Sequence, residues 1–136
     1  MSVQFSNPDG VFVPLAFSQL LTVWNETLLI LSGQVAFAAD GQMVGEGNLR
    51  VQTEQIFKNI QTILLSAEAT MGDILKLTIY VVNYQPDDRF VIADVQRMFI
   101  VEPFPASTLL GVQSLARPGL LIEIDVLAKR PFPTTI

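Results

Sequence analysis

The stretch Leu75–Val82, with the sequence LKLTIYVV, decides how this chain folds. Large aliphatic side chains recur at every second position, and alternate residues of a β-strand point to opposite faces of its sheet. The stretch therefore predicts a strand with one face that must be covered. That buried face comprises Leu75, Leu77, Ile79 and Val81, and the other face comprises Lys76, Thr78, Tyr80 and Val82.

An amphipathic helix is predicted before this strand. Apolar residues recur at helical spacing from Leu49 to Ala67, and Asn48 lies where an N-cap residue is expected. A single apolar stripe of this kind needs a sheet or another helix to cover it. We therefore expect this helix to pack on the sheet that contains Leu75–Val82.

A second helix is predicted after a loop that holds Pro86. Asp87 or Asp88 offers its N-cap. Pro103 and Pro105 end it, because proline breaks the helical hydrogen-bond pattern. The two aspartates are also a candidate ligand or cation site, although helix capping explains the pair more simply. The predicted apolar face of this helix comprises Phe90, Val91, Val95, Met98 and Phe99.

Four more strands complete a predicted order of β-β-α-β-α-β-β. Phe17–Val23 and Leu28–Leu31 are separated by a short polar turn and are predicted to form a hairpin. Thr108–Val112 and Leu120–Leu127 flank a Pro-Gly turn. Strand–helix–strand steps favour one mixed sheet with both helices on the same face. The fold class predicted from the order of elements is therefore α/β (α+β).

The length of 136 residues fits a single domain over residues 1–136, with residues 1–13 as a loosely ordered N-terminal segment. Charged residues make up only 15% of the chain, against about 25% in a usual soluble domain. One face of the predicted sheet also lacks helices. Both features indicate that part of the surface is covered by other copies of the chain, in an oligomer of undetermined size.

The composition excludes several classes of function. The chain contains neither histidine nor cysteine, so imidazole and thiolate catalysis and cysteine-zinc sites are excluded. No nucleotide-binding motif is present, and we expect no cofactor and no metal. The net charge of −5 argues against nucleic acid as a partner. No apolar run approaches the ~20 residues of a membrane span, and no signal peptide is recognisable, so we expect a cytoplasmic protein without a membrane partner.

Glu123 and Arg117 are the single residues that invite a functional interpretation. Glu123 interrupts the apolar run LLIEI, so its carboxylate lies either on a solvated face or in a cleft that raises its pKa. A cleft would suit a general acid or base, while the pattern alone favours the solvated face. Arg117 precedes Pro-Gly in a turn and is a surface residue by pattern, although at a subunit edge it could meet an anion.

Several segments in a fixed order together resemble the Rid/YjgF family, the reactive-intermediate (enamine/imine) deaminases. The most specific segment is Phe104-Pro105-Ala106-Ser107-Thr108. The others are Ser32–Gln34, the Gln-rich helix of Gln52–Leu65, Gly72–Val81, Gly111–Val112, Leu115–Ala116 and Leu121–Ile124. The resemblance covers nearly the whole chain after about Phe17.

The resemblance implies a chorismate-mutase-like fold and a homotrimer whose sheets surround a central barrel. Small-molecule clefts then lie between adjacent subunits, and no cofactor takes part. In the deaminating members an arginine directly after Pro-Ala binds the substrate carboxylate, since a guanidinium pairs with both carboxylate oxygens. A tyrosine before the first strand and the glutamate of the Ile-Glu-Ile run place the attacking water.

This sequence departs from that pattern at three positions. Ser107 stands at the arginine position, Phe17 at the tyrosine position, and Leu109 where a small or thiol residue is usual. Gly33 and Glu123 are kept. The chain therefore resembles members that lack the arginine, and we expect a ligand less anionic than an amino-acid-derived imine.

The predicted function is binding of a small molecule in clefts between subunits. Whether chemistry follows is left open: one alternative is hydrolytic deamination of an enamine or imine other than simple 2-imino acids. The other is a non-enzymatic metabolite-binding or protein-interaction module, chaperone-like or translation-modulating. Glu123 is the candidate catalytic residue. The candidate ligand-binding residues are Phe17, Gly33, Asp88, Ser107, Leu109 and Arg117.

Overall fold

Six strands, two α-helices and a 3-10 turn form the structure, a computed structural model that describes residues 2–14 and 16–131. The strands are β1 (Val3–Ser6), β2 (Leu20–Val23), β3 (Glu26–Gln34), β4 (Ile74–Val82), β5 (Ala106–Val112) and β6 (Ile122–Pro131). The helices are α1 (Leu49–Ser66) and α2 (Asp88–Phe99), and the 3-10 turn covers Met71–Asp73. Within the described residues, neither helix combines the length and the apolar character that crossing a membrane requires.

The main sheet has four strands in the order β3-β6-β4-β5. β4 and β5 run parallel, whereas β6 is antiparallel to both of its neighbours. Buried residues of α1 and α2 share one hydrophobic core with one face of this sheet. The predicted fold class, an α+β domain with a mixed sheet and two helices, is confirmed.

Alternation along the central strand β6 separates the two faces of the sheet. Ile122, Ile124 and Val126 are fully buried under the helices. Glu123 and Asp125 alternate with them and therefore lie on the face without helices. We call this second face, made by the outward residues of β3, β6, β4 and β5, the open face.

The predicted hairpin between Phe17–Val23 and Leu28–Leu31 is wrong. β2 instead pairs with β1, so residues 3–6 form a strand where a loosely ordered segment was expected. β3 pairs with β6, because only a place in the main sheet lets Leu29 and Leu31 pack against the core. The predicted element order therefore lacks β1.

The apolar face predicted for α2 is also wrong in part. Phe90 and Met98 are 55% and 67% exposed, and the fully buried positions are Ile92, Val95 and Gln96. The helix instead turns Ile92, Val95 and Gln96 inward, and Phe99 at its end stacks on Phe57 of α1, with ring centroids 5.6 Å apart. Phe90 is thereby left beside a cavity rather than in the core.

A buried amide fixes the loop that leads into β6. The Gln52 Nε2 of α1 donates hydrogen bonds to the carbonyl oxygens of Gly45 and Gly119, at 3.1 and 2.8 Å. Its Oε1 accepts a hydrogen bond from the Leu121 amide at 2.8 Å. All of the hydrogen bonds join backbone groups to one fully buried side chain, so they hold the start of β6 against α1.

Gln52→Met is expected to lower the free energy of unfolding by about 3 kcal/mol, because buried backbone groups lose their partners. The measurement is equilibrium denaturation in urea. Gln61→Met on the exposed side of the same helix is the control, expected to change stability by less than about 0.5 kcal/mol. Equal effects of the two substitutions would contradict the structural role of the Gln52 amide.

Candidate functional site

Glu123 lies among polar side chains on the open face. It is half-buried and stands directly opposite Tyr80 of β4, while Asp125 stands opposite Thr78. The Tyr80 hydroxyl donates a hydrogen bond to Oδ2 of Asp125 at 2.9 Å. Burial raises the pKa of Glu123 above its ordinary value, and the like charge of Asp125 adds to the rise. The hydrogen bond to Asp125 is the main cause of a raised pKa at Tyr80.

Gly33 brings the backbone of β3 against these carboxylates. Leu31 pairs with Val126 and Gln34 with Ile124, so two residues of β3 oppose the single residue between them on β6. This β-bulge carries Gly33 over the side chains of β6. A Cβ there would overlap the Glu123 carboxylate and lie 2.8 Å from Oδ1 of Asp125. A side chain at this position would force both carboxylates to move.

A cavity of about 560 Å³ lies on the other side of the sheet, between α2, β5 and the segment before β2. Ser107 and Leu109 of β5 line it, together with Phe17, Ile79 of β4 and residues of α2. Two backbone contacts hold the segment in place. Gln96 Nε2 donates a hydrogen bond to the Ala16 carbonyl at 3.1 Å, and the Ser18 amide donates to the Pro105 carbonyl at 2.9 Å. We call this space the Ser107 cavity.

The two parts of the candidate site lie on opposite faces of one sheet. Leu109 is the register partner of Ile79, whereas Glu123 is the register partner of Tyr80. Ile79 and Tyr80 are adjacent in β4 and therefore point to opposite faces. One chain consequently does not bring Ser107 together with Glu123 and Gly33.

Asp88 and Arg117 make their contacts away from the Ser107 cavity. Asp88 Oδ2 accepts a hydrogen bond from the Gln85 amide at 2.8 Å, which closes the loop before α2. Asp87 is the N-cap residue, although its side chain makes no capping hydrogen bond. Arg117 is exposed and stacks over Phe37, 5.0 Å from the ring centroid. Neither residue lines the Ser107 cavity.

Arg89 and Arg97 line the Ser107 cavity from α2, and neither residue was predicted from the sequence. With Ala93 they lie four residues apart along one side of the helix, a spacing that brings side chains onto one face. This spacing was readable in the sequence. The apolar face predicted for α2 lies at other positions, so the sequence pattern did not single out the two arginines.

Among residues 2–14 and 16–131, no group of three or more acidic side chains converges in a way that could hold a metal ion. Glu123 and Asp125 are a pair of carboxylates with one phenol. In chemical terms, such a group can donate and accept protons.

A family model described as endoribonuclease L-PSP matches residues 14–130, which include both parts of the site. The chain belongs to this family, also called Rid/YjgF. A crystal structure of the Rid-family protein YyfB from Yersinia pestis, of unknown function, matches with a TM-score of 0.86 at 34% identity. The match covers 96% of this chain and all of the other.

Curated relatives of this Rid-family chain carry different names. The putative regulator AldR of Lactococcus lactis is 35% identical over 75% of this chain and 79% of that protein. A 2-iminobutanoate/2-iminopropanoate deaminase of Dermatophagoides farinae is 31% identical over 80% of this chain and 81% of that protein.

Gly33→Ala is expected to destabilise the chain by up to about 1 kcal/mol, because the added methyl group must displace the ends of two carboxylate side chains. Gly72→Ala is the matched control, since a Cβ there meets only Thr70 Oγ1 at an ordinary 3.7 Å. The cost should shrink when Glu123→Ala is combined with Gly33→Ala, which a double-mutant cycle in urea denaturation measures. Additive effects of these two substitutions would contradict the described contact.

Proposed function

We propose that this Rid-family protein is a homotrimer that binds a small molecule in clefts between its subunits. Each cleft would combine the Ser107 cavity of one subunit with the Glu123 and Gly33 surface of the next. The observation that carries the proposal is the separation of these two parts on opposite faces of one sheet. A second copy of the chain is the simplest means of joining them.

The open face supports association with further copies. Leu28 and Ile30 of β3 are 55% and 74% exposed, and Leu127 and Leu110 add apolar surface on the same face. Exposed apolar side chains on one face of a sheet favour protein–protein contact. Covering it with other subunits would also suit a chain in which only 15% of the residues are charged.

The chemistry proposed for the cleft is hydrolysis of a carbon–nitrogen double bond. Water adds to the imine carbon, the carbon–nitrogen bond of the resulting carbinolamine breaks, and the products are a carbonyl compound and ammonia. An enamine reaches the same path after it tautomerises to the imine. No electrons are exchanged with another reactant, so this reaction needs a proton donor and acceptor rather than a redox partner.

Glu123 is the group proposed to move these protons. Its raised pKa favours the protonated carboxyl more than in an ordinary glutamate, and that form can donate a proton to the imine nitrogen. The carboxylate that remains can then accept a proton from the attacking water. Asp125, hydrogen-bonded to Tyr80, is the neighbouring negative charge that favours return of the proton to Glu123.

The cavity favours substrates other than simple 2-imino acids. Ser107 offers one hydroxyl where the deaminating pattern has a guanidinium, and Phe17 and Leu109 add apolar surface. Losing a charge-assisted pair with a carboxylate typically costs about 2–5 kcal/mol of binding. We therefore do not expect this chain to share the substrates named for the relative from Dermatophagoides farinae.

A second candidate function is ligand binding without turnover. The relative from Lactococcus lactis is named a putative regulator, and it is 35% identical to this chain. Ser107 in place of an arginine is also compatible with a site that still binds a ligand but does not catalyse deamination. A metabolite-binding or protein-interaction role would use the same clefts.

Ammonia release from imines formed in place by an amine oxidase tests the enzymatic proposal. These imines carry no carboxylate next to the imine carbon, and we expect the protein to accelerate their hydrolysis. Glu123→Gln should reduce that acceleration by about a hundredfold or more while the oligomer is retained. The wild-type activity should also decline as the pH rises above the raised pKa of Glu123, because the proton donor is then lost.

Two controls make the result interpretable. Glu102→Gln, at an exposed glutamate, should leave the activity unchanged. Imines generated from alanine by an amino-acid oxidase should be poor substrates because no arginine follows Pro105-Ala106. Full activity of Glu123→Gln would contradict the proposed mechanism, and no acceleration of any imine would favour the non-enzymatic alternative.

A further inference from the structure

Two arginines stand at the outer edge of the Ser107 cavity. Arg89 and Arg97 of α2 are exposed, whereas the cavity floor is formed by Ile79 and Ile92, which are 3% and 2% exposed. Ser107 lies deeper than the arginines and is half-buried. The cavity thus has a positively charged rim above an apolar interior.

No carboxylate of the described residues neutralises these arginines. Asp94, which lies between them on α2, forms its ion pair with Arg50 of α1 at 3.7 Å. Asp88 is hydrogen-bonded to the Gln85 amide, and no acidic residue lines the cavity. Two of the eight cationic side chains of this acidic protein therefore line one cavity, and neither has a counter-ion among the residues described.

Helix stability does not explain the position of Arg89. The residue lies in the first turn of α2, where the positive end of the helix dipole disfavours a cation. Its guanidinium instead lies over the ring of Phe90, 4.7 Å from the centroid, at the cavity rim. The stacking fixes the planar group beside the opening and leaves its edge donors available to a ligand.

The interior of the cavity suits an apolar group. Phe12, Phe17, Ile79 and Leu109 contribute to its wall, and Ser107 supplies a single hydroxyl. The amide of Gln96 is committed to the Ala16 carbonyl. An aliphatic or aromatic body therefore fits the interior better than a polar one.

We infer that Arg89 and Arg97 bind a carboxylate at the rim of the Ser107 cavity. The ligand is then an elongated, apolar carboxylic acid whose negative charge lies at the end remote from the group held deep in the cleft. This inference rests on the proposed function, because it takes the Ser107 cavity as the ligand-binding part of the cleft. It differs from binding of a 2-imino acid, in which carboxylate and imine share neighbouring carbons.

The helix geometry predicts how the arginines share this task. Eight residues of α-helix place their Cα atoms about 12 Å apart along the axis. The two guanidinium groups are therefore spaced along the rim and do not form one joint site. Either of them can pair with a ligand that carries a single negative charge. Removing one arginine should weaken carboxylate binding in part, and removing both should abolish the preference for a charged ligand.

Calorimetric titration with phenylbutyrate and its neutral amide, phenylbutyramide, tests the inference. We expect the wild-type protein to bind the carboxylate about tenfold more tightly than the amide at low salt. The double variant Arg89→Gln/Arg97→Gln should lose that preference while its affinity for the amide stays unchanged. Lys58→Gln, an exposed cation on α1, controls for the change in net charge.

Arg117→Gln separates this assignment from the alternative in which Arg117 replaces the missing arginine. The inference is overturned if the wild type does not distinguish the two compounds or binds neither. It is also overturned if the preference survives in the double variant, or if Arg117→Gln alone removes it. Binding is measured without turnover, so an inactive Glu123→Gln or a failed imine assay neither supports nor weakens the result.

Discussion

The alternation of side chains along β6 is the constraint on which the rest of the structure depends. Ile122, Ile124 and Val126 are buried beneath two helices. The side chains between them must therefore point to the open face. Two carboxylates consequently stand in the middle of an uncovered sheet. The β-bulge at Gly33 then encloses them from the side and contributes the backbone that limits their exposure to water.

The same constraint explains why the candidate site is divided. β5 follows β4 in register, so Ser107 and Leu109 turn toward α2 while Glu123 turns away from it. A reaction that used both parts would require a second chain, and the exposed leucine and isoleucine side chains of the open face suit such a contact. In the proposed function, association and chemistry would thus be coupled through the direction in which alternate side chains point.

Strong periodicity made much of the core predictable from the sequence. The pattern of Leu75–Val82 gave the correct face for Leu77, Ile79 and Val81, and Asn48 caps α1 as expected. The partners of β2 and β3 were not predictable, because strand pairing depends on tertiary burial rather than on turn chemistry. The same holds for α2, where tertiary packing buries Ile92 and Gln96 instead of Phe90 and Met98 and so brings Arg89 and Arg97 to the cavity.

Cross-linking between engineered thiols tests the central claim that one site is completed by two chains. The protein has no cysteine, so a Ser107→Cys/Glu123→Cys variant carries only two thiols, on opposite faces of its sheet. Treatment with a short bismaleimide should yield covalent dimers and trimers on denaturing electrophoresis, while each single-cysteine variant remains monomeric. Monomers alone from the double variant, with both thiols reactive toward a monofunctional maleimide, would contradict the account.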